Sequence, residues 1–238
     1  MKLFGSLLGS PPSRVTNRAP VGRRKLFLAL LAVLCIAGFT AQISVAAAEP
    51  VRIVAFGDSL TAGYGLRPQE AFPAKLSAAL KAKGYDVSIA NAGVSGDTTA
   101  AGLARLDWSV PKGTQAVILE FGANDAFRGV TPATARKNLE EIITRLKARN
   151  VEVLLAGMYA PRNLGQEYVT AFDVIYPDLA RKHGLILVPF FLEGIAGNRG
   201  LNLPDGVHPT AEGVDIIVKT LLPSVEALIQ RVQVRKAS

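Results

Sequence analysis

Cysteine and histidine are nearly absent from this sequence, and their scarcity excludes several kinds of chemistry. Of 238 residues, one is cysteine and two are histidine. The cysteine, Cys35, lies in an apolar segment near the start of the chain. The remainder therefore has no disulfide, no thiol nucleophile and no cysteine ligand for a metal. Because two histidines are too few for an ordinary zinc site, we expect no metal and no other cofactor.

The first 48 residues have the layout of a secretory signal peptide. They contain no acidic residue, are basic up to Lys25, apolar over 26–41 and rich in small residues up to Ala48. The A-x-A pattern at the end predicts cleavage after Ala48. An uncleaved anchor helix is the alternative, but the apolar run is shorter than the roughly 20 residues that span a bilayer. We expect a cleaved leader at 1–48, a mature domain at 49–238, a periplasmic or secreted protein and no stable membrane anchor.

The formal net charge of +8 comes mostly from this leader. Removing its six cations from the 27 lysines and arginines leaves 21 basic residues against 19 acidic ones. A pI of 9.8 would otherwise favour nucleic-acid binding, and we expect no such partner for the mature chain. Arg23 and Arg24 also resemble a twin-arginine export signal. Ordinary signal peptides carry the same pair, so the export route stays open.

After residue 48, short apolar runs alternate with helical patterns. The predicted strands are Val51–Phe56, Val87–Ala90, Ala116–Phe121, Val151–Ala156 and Leu185–Pro189. Such runs are typical of strands buried on both faces, with helices covering a parallel sheet. A helix is predicted over Thr131–Arg149, and a last helix from about Thr210 contains Pro223, which should kink it or start a new segment. The pattern predicts an α/β fold with a parallel five-stranded sheet.

Polar segments that contain glycine follow the predicted strands. They are Gly57-Asp58-Ser59, Asn91–Asp97, Gly122–Asp125 and, before the last helix, Asp205–Pro209. Each could be only a turn, because Gly, Asn, Asp and Ser are turn formers. Ligands of parallel α/β sheets, however, bind at the carboxyl ends of the strands, and four such segments at one edge indicate an active site. Ser59 is then either a nucleophile or only a helix cap.

A serine nucleophile needs a neighbouring base, which is usually histidine. His183 lies in a basic segment that ends at Gly184, a pattern typical of a helix end, where a histidine interacts favourably with the helix dipole. His208 lies in a polar loop three residues after Asp205. Asp205 can orient one ring nitrogen of His208 and leave the other for Ser59. We therefore interpret Ser59, His208 and Asp205 as catalytic residues.

An oxyanion site needs donors aimed at the position where negative charge develops. The backbone N–H of Ser59 is one candidate, and the side-chain amide of Asn124 is another. The backbone N–H of a glycine in the second polar segment is a third. Spacing alone does not choose between Gly93 and Gly96.

Four blocks of this chain together resemble the SGNH (GDSL) hydrolase superfamily. The blocks are Gly57-Asp58-Ser59-Leu60, Gly96, Gly122-Ala123-Asn124-Asp125 and Asp205-Gly206-Val207-His208. The resemblance extends over most of the mature chain, and it is to the small bacterial periplasmic thioesterase, lysophospholipase and arylesterase group. It implies a three-layer α/β/α, flavodoxin-like fold. It assigns the nucleophile to Ser59, the oxyanion donors to Ser59, Gly96 and Asn124, and the remaining catalytic pair to Asp205 and His208.

The resemblance also implies a function, which is exported serine esterase activity through an acyl-enzyme intermediate. The expected substrates are small-molecule or lipid acyl esters, such as aryl esters, acyl-CoA-type thioesters or lysophospholipids. Phe127 and Val130 are the expected substrate-binding residues, and Tyr159–Tyr168 is a second possible wall of the groove. We expect a monomer.

Three other functions compete with this interpretation. A carbohydrate O-acetyl esterase of the same superfamily would have a small, polar groove. A non-catalytic binding domain would not require Ser59, Asp205 and His208 together. A flavodoxin-like domain that binds a cofactor would need a phosphate-binding loop, and no such motif is present.

Overall fold

The structure, a computed structural model, describes residues 12–13 and 49–237. The expected leader and its cleavage site at Ala48 lie outside the described residues, apart from Pro12 and Ser13. Within these ranges, no helix combines the length and the apolar character that crossing a bilayer would require.

The described chain is organised around one parallel sheet. Its strands are β1 (Val51–Gly57), β2 (Val87–Gly93), β3 (Ala116–Glu120), β4 (Glu152–Ala156) and β5 (Ile186–Val188). They are ordered β2-β1-β3-β4-β5, and every pair of neighbours is parallel. This is the flavodoxin-like order, and it confirms the predicted α/β fold class and the five-stranded sheet.

The three central strands form where apolar runs are buried on both faces, whereas β2 and β5 at the edges of the sheet are partly exposed. All residues of β3 are buried, and so are all but Arg52 of β1. The second strand continues three residues beyond the predicted end at Ala90, because Ala92 and Gly93 pair with the end of β1. The last strand is shorter than predicted and consists of Ile186–Val188 alone.

Helices cover both faces of the sheet. They are α1 (Ser59–Ala62), α2 (Phe72–Ala82), α3 (Thr99–Ser109), α4 (Ala123–Phe127), α5 (Pro132–Ala148), α6 (Gln166–Asp173), α7 (Ile175–His183) and α8 (Ala211–Ala237). The helices α2 and α8 pack together on one face, whereas α3, α5 and α7 pack on the other. This arrangement confirms the three-layer architecture.

Two predicted helices are present, one of them with an unexpected course. Thr131 caps α5, and its hydroxyl accepts from the N–H of Thr134 at 3.2 Å. The last helix runs through Pro223 without ending, so of the two predicted effects, a kink or a new segment, the new segment is wrong. Proline removes the bond to the carbonyl of Lys219. Because Lys219 and Pro223 are both exposed, water can satisfy that carbonyl.

Arg105 joins α3 to the ends of β1 and β2. Its side chain is buried, and it donates to Asp97 Oδ2 at 2.5 Å, to the Gly57 carbonyl at 2.8 Å and to the Ala92 carbonyl at 2.9 Å. The guanidinium group lies 4.6 Å from the centre of the Phe56 ring. One side chain thus satisfies two strand-end carbonyls and one carboxylate that is mostly shielded from solvent.

We expect Arg105→Leu to lower the free energy of unfolding by about 3–5 kcal/mol, because it leaves the Asp97 carboxylate, which is only 15% exposed, and two strand-end carbonyls without their donor. The matched control is Arg145→Leu, since Arg145 pairs with Asp107 at the surface, where the side chains are 37% and 70% exposed. The control should lose less than about 1 kcal/mol. Urea unfolding measures both values, and equal losses would show that the Arg105 network does not stabilise the fold.

Candidate active site

The candidate site lies at the carboxyl edge of the sheet, between β1 and β3. Ser59 opens α1 directly after β1, and Asn124 lies in α4 directly after β3. The strand order reverses at this point, since the chain goes from β1 outward to β2 and then back to β3. Such a switch point forms a crevice between the loops that leave neighbouring strands, and ligands bind there.

Ser59, His208 and Asp205 form a continuous line of hydrogen bonds. Ser59 Oγ lies 2.9 Å from His208 Nε2, and His208 Nδ1 lies 2.8 Å from Asp205 Oδ2. Asp205 therefore accepts the Nδ1–H, which leaves Nε2 to accept the proton of the serine hydroxyl. The structure thus brings together three residues that are up to 149 positions apart in the sequence.

The turn around Asp205 keeps its carboxylate ionised. Oδ1 accepts from the backbone N–H of His208 at 3.0 Å and of Val207 at 2.9 Å. These two bonds, with the bond to the His208 ring, lower the pKa of Asp205 to about 2. The carboxylate that orients the histidine is therefore charged at any pH well above 2.

Asp58 is the residue that caps the short helix α1. Its Oδ1 accepts from the N–H of Leu60 at 3.0 Å, and Ser59 is the first helical residue. The alternative in which Ser59 is only a cap is therefore wrong. Because the cap role is filled by its neighbour, the Ser59 hydroxyl is left to contact His208.

The two candidate glycines of the second segment differ in their N–H groups. Gly93 donates its N–H to Asn91 Oδ1 at 2.9 Å. The N–H groups of Gly96 and Ser59 have no acceptor among the described residues. Gly96 also has φ of 86°, a conformation that favours glycine. Two N–H donors are thus available, that of Ser59 next to the serine hydroxyl and that of Gly96 in the loop after β2.

Both N–H bonds of the Asn124 amide are occupied. Nδ2 donates to Asp58 Oδ2 at 3.0 Å and to the carbonyl of Asp97 at 3.0 Å. The bonds join the segments that follow β1, β2 and β3. A new acceptor in the site would have to replace or share one of them.

An apolar cavity of about 360 Å³ opens beside Ser59 and His208. Its lining is mostly aliphatic and aromatic, and comprises Ser59, Leu60, Ala123, Asn124, Phe127, Met158, Tyr159, Pro161, Phe190, Leu192, Asp205, Val207 and His208. The rings of Tyr159 and Phe190 are stacked, with centres 4.7 Å apart. These two rings come from the segments that follow β4 and β5, so every side of the cavity is built at the same edge of the sheet.

The two residues expected to bind substrate are placed differently. Phe127 lines the cavity and is 57% exposed. Val130 is not part of the lining, and its carbonyl accepts from the hydroxyl of Tyr168 at 2.6 Å. Tyr168 does not line the cavity either, and of the expected second wall only Tyr159 and Pro161, near its start, reach it.

One residue of this site was missed by sequence reasoning. The ring of Tyr64 packs against the His208 ring, with centres 4.4 Å apart, and Tyr64 is 52% exposed. Tyr64 lies between Gly63 and Gly65, both of which have positive φ. An aromatic residue between two glycines shortly after the serine is the signal that could have identified it.

The second histidine lies at a helix end, as its sequence context predicted. His183 is the last residue of α7, and Gly184 follows in the left-handed conformation. His183 Nε2 lies 3.2 Å from Glu140 Oε1. In the part of the chain that the structure describes, no three His, Cys, Asp or Glu side chains are grouped so that they could hold a metal ion.

Comparison with known proteins identifies one family. Residues 55–216 match the GDSL-like Lipase/Acylhydrolase family. Esterase TesA of Pseudomonas aeruginosa is 37% identical over 185 residues, which are 77% of this chain and 91% of that protein. Thioesterase 1/protease 1/lysophospholipase L1 of Escherichia coli K12 is 34% identical over 192 residues, which are 80% of this chain and 91% of that protein.

Solved structures agree with this assignment. The crystal structure of AlinE4, an SGNH-hydrolase family esterase, is 49% identical, with a TM-score of 0.64 over 75% of this chain and 96% of that one. The crystal structure of TesA is 36% identical, with a TM-score of 0.71 over 74% of this chain and 99% of that one. The chain therefore belongs to the GDSL-like lipase/acylhydrolase family, as its four sequence blocks predicted, and it is a hydrolytic enzyme of that family.

Proposed function

We propose that this enzyme is an exported serine esterase, which hydrolyses acyl esters or thioesters through Ser59, His208 and Asp205. The observation that carries the proposal is the hydrogen-bond line of 2.9 Å and 2.8 Å that joins the three side chains. The line supplies a nucleophile, a base within reach of its proton and an acid that orients the base, which is what a serine hydrolase requires.

In this mechanism Ser59 Oγ attacks the acyl carbonyl carbon while His208 Nε2 takes the hydroxyl proton. Asp205 holds His208 in the required tautomer and stabilises the imidazolium ion that forms. The tetrahedral intermediate then collapses, and His208 returns the proton to the leaving alcohol or thiol. Water attacks the resulting acyl-enzyme by the same steps, which release the carboxylic acid and restore Ser59.

The oxyanion of the intermediate would be bound by the N–H groups of Ser59 and Gly96 and by the Asn124 amide. The first two are supported by their lack of any acceptor in the described chain. For Asn124, the oxyanion would have to compete with the neutral carbonyl of Asp97. A charged acceptor forms the stronger hydrogen bond, so formation of the intermediate favours the exchange.

The apolar cavity supports an acyl or aryl group as the part of the substrate that the enzyme recognises. Phe127, Tyr159 and Phe190 offer aromatic surface, and the burial of apolar area would favour chains longer than acetyl. The relatives are named esterase, arylesterase and thioesterase/lysophospholipase, which agrees with this class. A carbohydrate O-acetyl esterase fits less well, because its small polar acyl site has no counterpart in this lining.

We also propose that residues 1–48 direct export and are then removed. The support is the order of basic, apolar and small residues in the sequence, which is that of a signal peptide. Export would place the domain at 49–238 in the periplasm or outside the cell, where small-molecule or lipid acyl esters would reach it as substrates. We propose that this domain acts as a monomer.

Replacement of the catalytic residues tests the mechanism. Ser59→Ala should lower kcat on p-nitrophenyl butyrate by about 10⁴–10⁶-fold, and Asp205→Asn by about 10⁴-fold, because the histidine is then held in the wrong tautomer. The control is Asp215→Asn, which changes a surface acid paired with Lys75 and should leave kcat within about twofold. Near-normal turnover of Ser59→Ala would refute the proposal.

Chain-length profiles test the cavity. Tyr159→Ala should lower kcat/KM about tenfold on p-nitrophenyl octanoate, a loss of about 1.4 kcal/mol, and leave the value on the acetate ester nearly unchanged. Trp108→Ala is the matched control, because Trp108 is an aromatic residue that is 73% exposed and does not line the cavity. Equal losses on all chain lengths would show that the cavity does not hold the acyl group, and wild-type activity confined to acetate would favour the deacetylase.

Sequencing of the exported protein tests the leader. When the full chain is produced in a bacterial host, the periplasmic or secreted form should begin at Glu49. Ala48→Arg should block cleavage, because the processing site needs small residues. Full-length protein that stays in the cytoplasm with an intact N-terminus would contradict the proposal.

A further inference from the structure

Glu120 is a buried acid that the proposed mechanism does not use. It is the last residue of β3, it is fully buried, and it lies opposite Gly57 at the end of β1. Its Oε2 accepts from the Thr61 hydroxyl at 2.8 Å and, weakly, from the N–H of Asp58 at 3.4 Å. Its Oε1 is buried and receives no hydrogen bond from the described residues. An ionised carboxylate with one oxygen left bare in a buried site would be strongly disfavoured.

The neighbour of Glu120 is a second buried acid, Asp58. Both oxygens of Asp58 have donors, since Oδ1 accepts from Leu60 N and Oδ2 from Asn124 Nδ2, each at 3.0 Å. The nearby cation, Arg105, is occupied elsewhere, because all of its hydrogen bonds go to Asp97, Ser109 and strand-end carbonyls. Among the described residues, no lysine or arginine donates a hydrogen bond to either acid to neutralise a second negative charge.

Two adjoining carboxyl groups in a buried site share one proton, because they do not both ionise. The donors favour Asp58 as the ionised member, with two N–H bonds against one hydroxyl and one long contact for Glu120. Burial raises the pKa of Glu120 well above its usual range and that of Asp58 to about 6. The Glu120 and Asp58 carboxyl groups lie within hydrogen-bond reach of each other, and at pH 7 the pair holds its shared proton on Glu120.

We propose that Glu120 is a positioning residue, an un-ionised carboxylic acid that donates its proton to Asp58 and so fixes the acceptor that holds the Asn124 amide. This inference rests on the proposed role of Asn124 at the oxyanion. Glu120 itself would touch neither substrate nor Ser59, and it would act through Asp58 alone.

The backbone next to Glu120 is built to admit this acid. A Cβ atom at Gly57 would lie 2.6 Å from Glu120 Oε2 and 2.1 Å from Thr61 Oγ1, which no real contact allows. Only glycine at this position leaves room for the Glu120 carboxyl group and for the Thr61 hydroxyl that donates to it. The arrangement connects β3, the end of β1 and helix α1 directly beneath the serine.

Several titratable or charged groups surround the pair on the elements packed against it. They are His208 in the loop before α8, Asp125 on α4, Tyr176 on α7 and Arg105 on α3. Asp125 is held by Thr99 through bonds of 2.8 Å and 2.6 Å, and the Tyr176 hydroxyl donates to the Phe121 carbonyl at 2.8 Å. Each of these groups has partners of its own, which leaves Asp58 as the acceptor for the Glu120 proton.

A double-mutant cycle tests whether Glu120 acts through Asn124. Glu120→Gln keeps a donor for Asp58 and an acceptor for Thr61, so kcat on p-nitrophenyl butyrate should stay within about threefold of wild type. Glu120→Leu removes both and should lower kcat about 10- to 100-fold with KM nearly unchanged. Asn124→Ala should lower kcat about 10²–10³-fold, and adding Glu120→Leu to it should cost less than about threefold more.

Two results of this cycle would overturn the inference. One is an equal loss from Glu120→Leu in the presence and absence of Asn124, and the other is a Glu120→Gln enzyme as impaired as Glu120→Leu. Failure of the proposed function has a different signature, which is near-normal turnover by Asn124→Ala or Ser59→Ala. Circular dichroism of each variant confirms that it folds.

Stability against pH tests the proton itself, without any activity. Glu120 stays protonated in the folded protein, whereas the unfolded chain ionises it above about pH 4.3. The folded state then binds more protons, and stability falls as pH rises. Relative to Glu120→Gln, the wild-type unfolding constant should therefore rise by up to tenfold per pH unit, and by at least about tenfold in total from pH 5 to 7.

The matched control for this measurement is Glu70→Gln. Glu70 is an exposed acid whose pKa is lowered by its bonds to Arg67, so it is ionised in both states over this range. The ratio of the wild-type unfolding constant to that of Glu70→Gln should therefore not change from pH 5 to 7. A flat ratio for Glu120→Gln as well would show that Glu120 is ionised in the folded protein, and the inference would fail even if Glu120→Leu does not fold.

Discussion

The close approach of two central strands at their carboxyl ends is the constraint on which this site depends. The end of β1 at Gly57 lies directly beside Glu120 at the end of β3. No side chain fits at Gly57, and the chain passes from β1 to α1 across the single residue Asp58, which places Ser59 in the first helical turn. The parallel register then sets the distance from that turn to Asn124, because both segments leave the sheet at the same level.

The carboxyl groups of the site differ in pKa and in role because their surroundings differ. Asp205 is partly exposed and accepts several N–H bonds, which lower its pKa to about 2. Asp58 and Glu120 are buried side by side, and burial raises the pKa of both. Asp97 pairs with Arg105 at 2.5 Å. Negative charge is thus placed where a histidine or an arginine faces it, while the carboxyl pair beneath the serine shares one proton.

Most of what local sequence encodes was predictable. The apolar runs of the strands, the Thr131 cap of α5 and the glycine-closed helix at His183 depend on neighbours within a few positions, so periodicity and capping rules find them. His208 could be chosen as the candidate base because the sequence has only two histidines, and the other, His183, has the sequence context of a helix end. The sequence left open whether Pro223 kinks the last helix or ends it, because the continuous course of α8 depends on which side of the helix faces water.

By itself, the sequence determined the fold class, the family and the four segments that meet at one edge of the sheet. Only the tertiary structure decided which atoms in those segments are free. It left the N–H of Gly96 without an acceptor in the described part of the chain while using that of Gly93, made Asp58 the cap beside Ser59, and set a buried Glu120 beneath them. Each of these outcomes depends on distances between residues far apart in the chain, and strand register and close packing, rather than local propensity, set those distances.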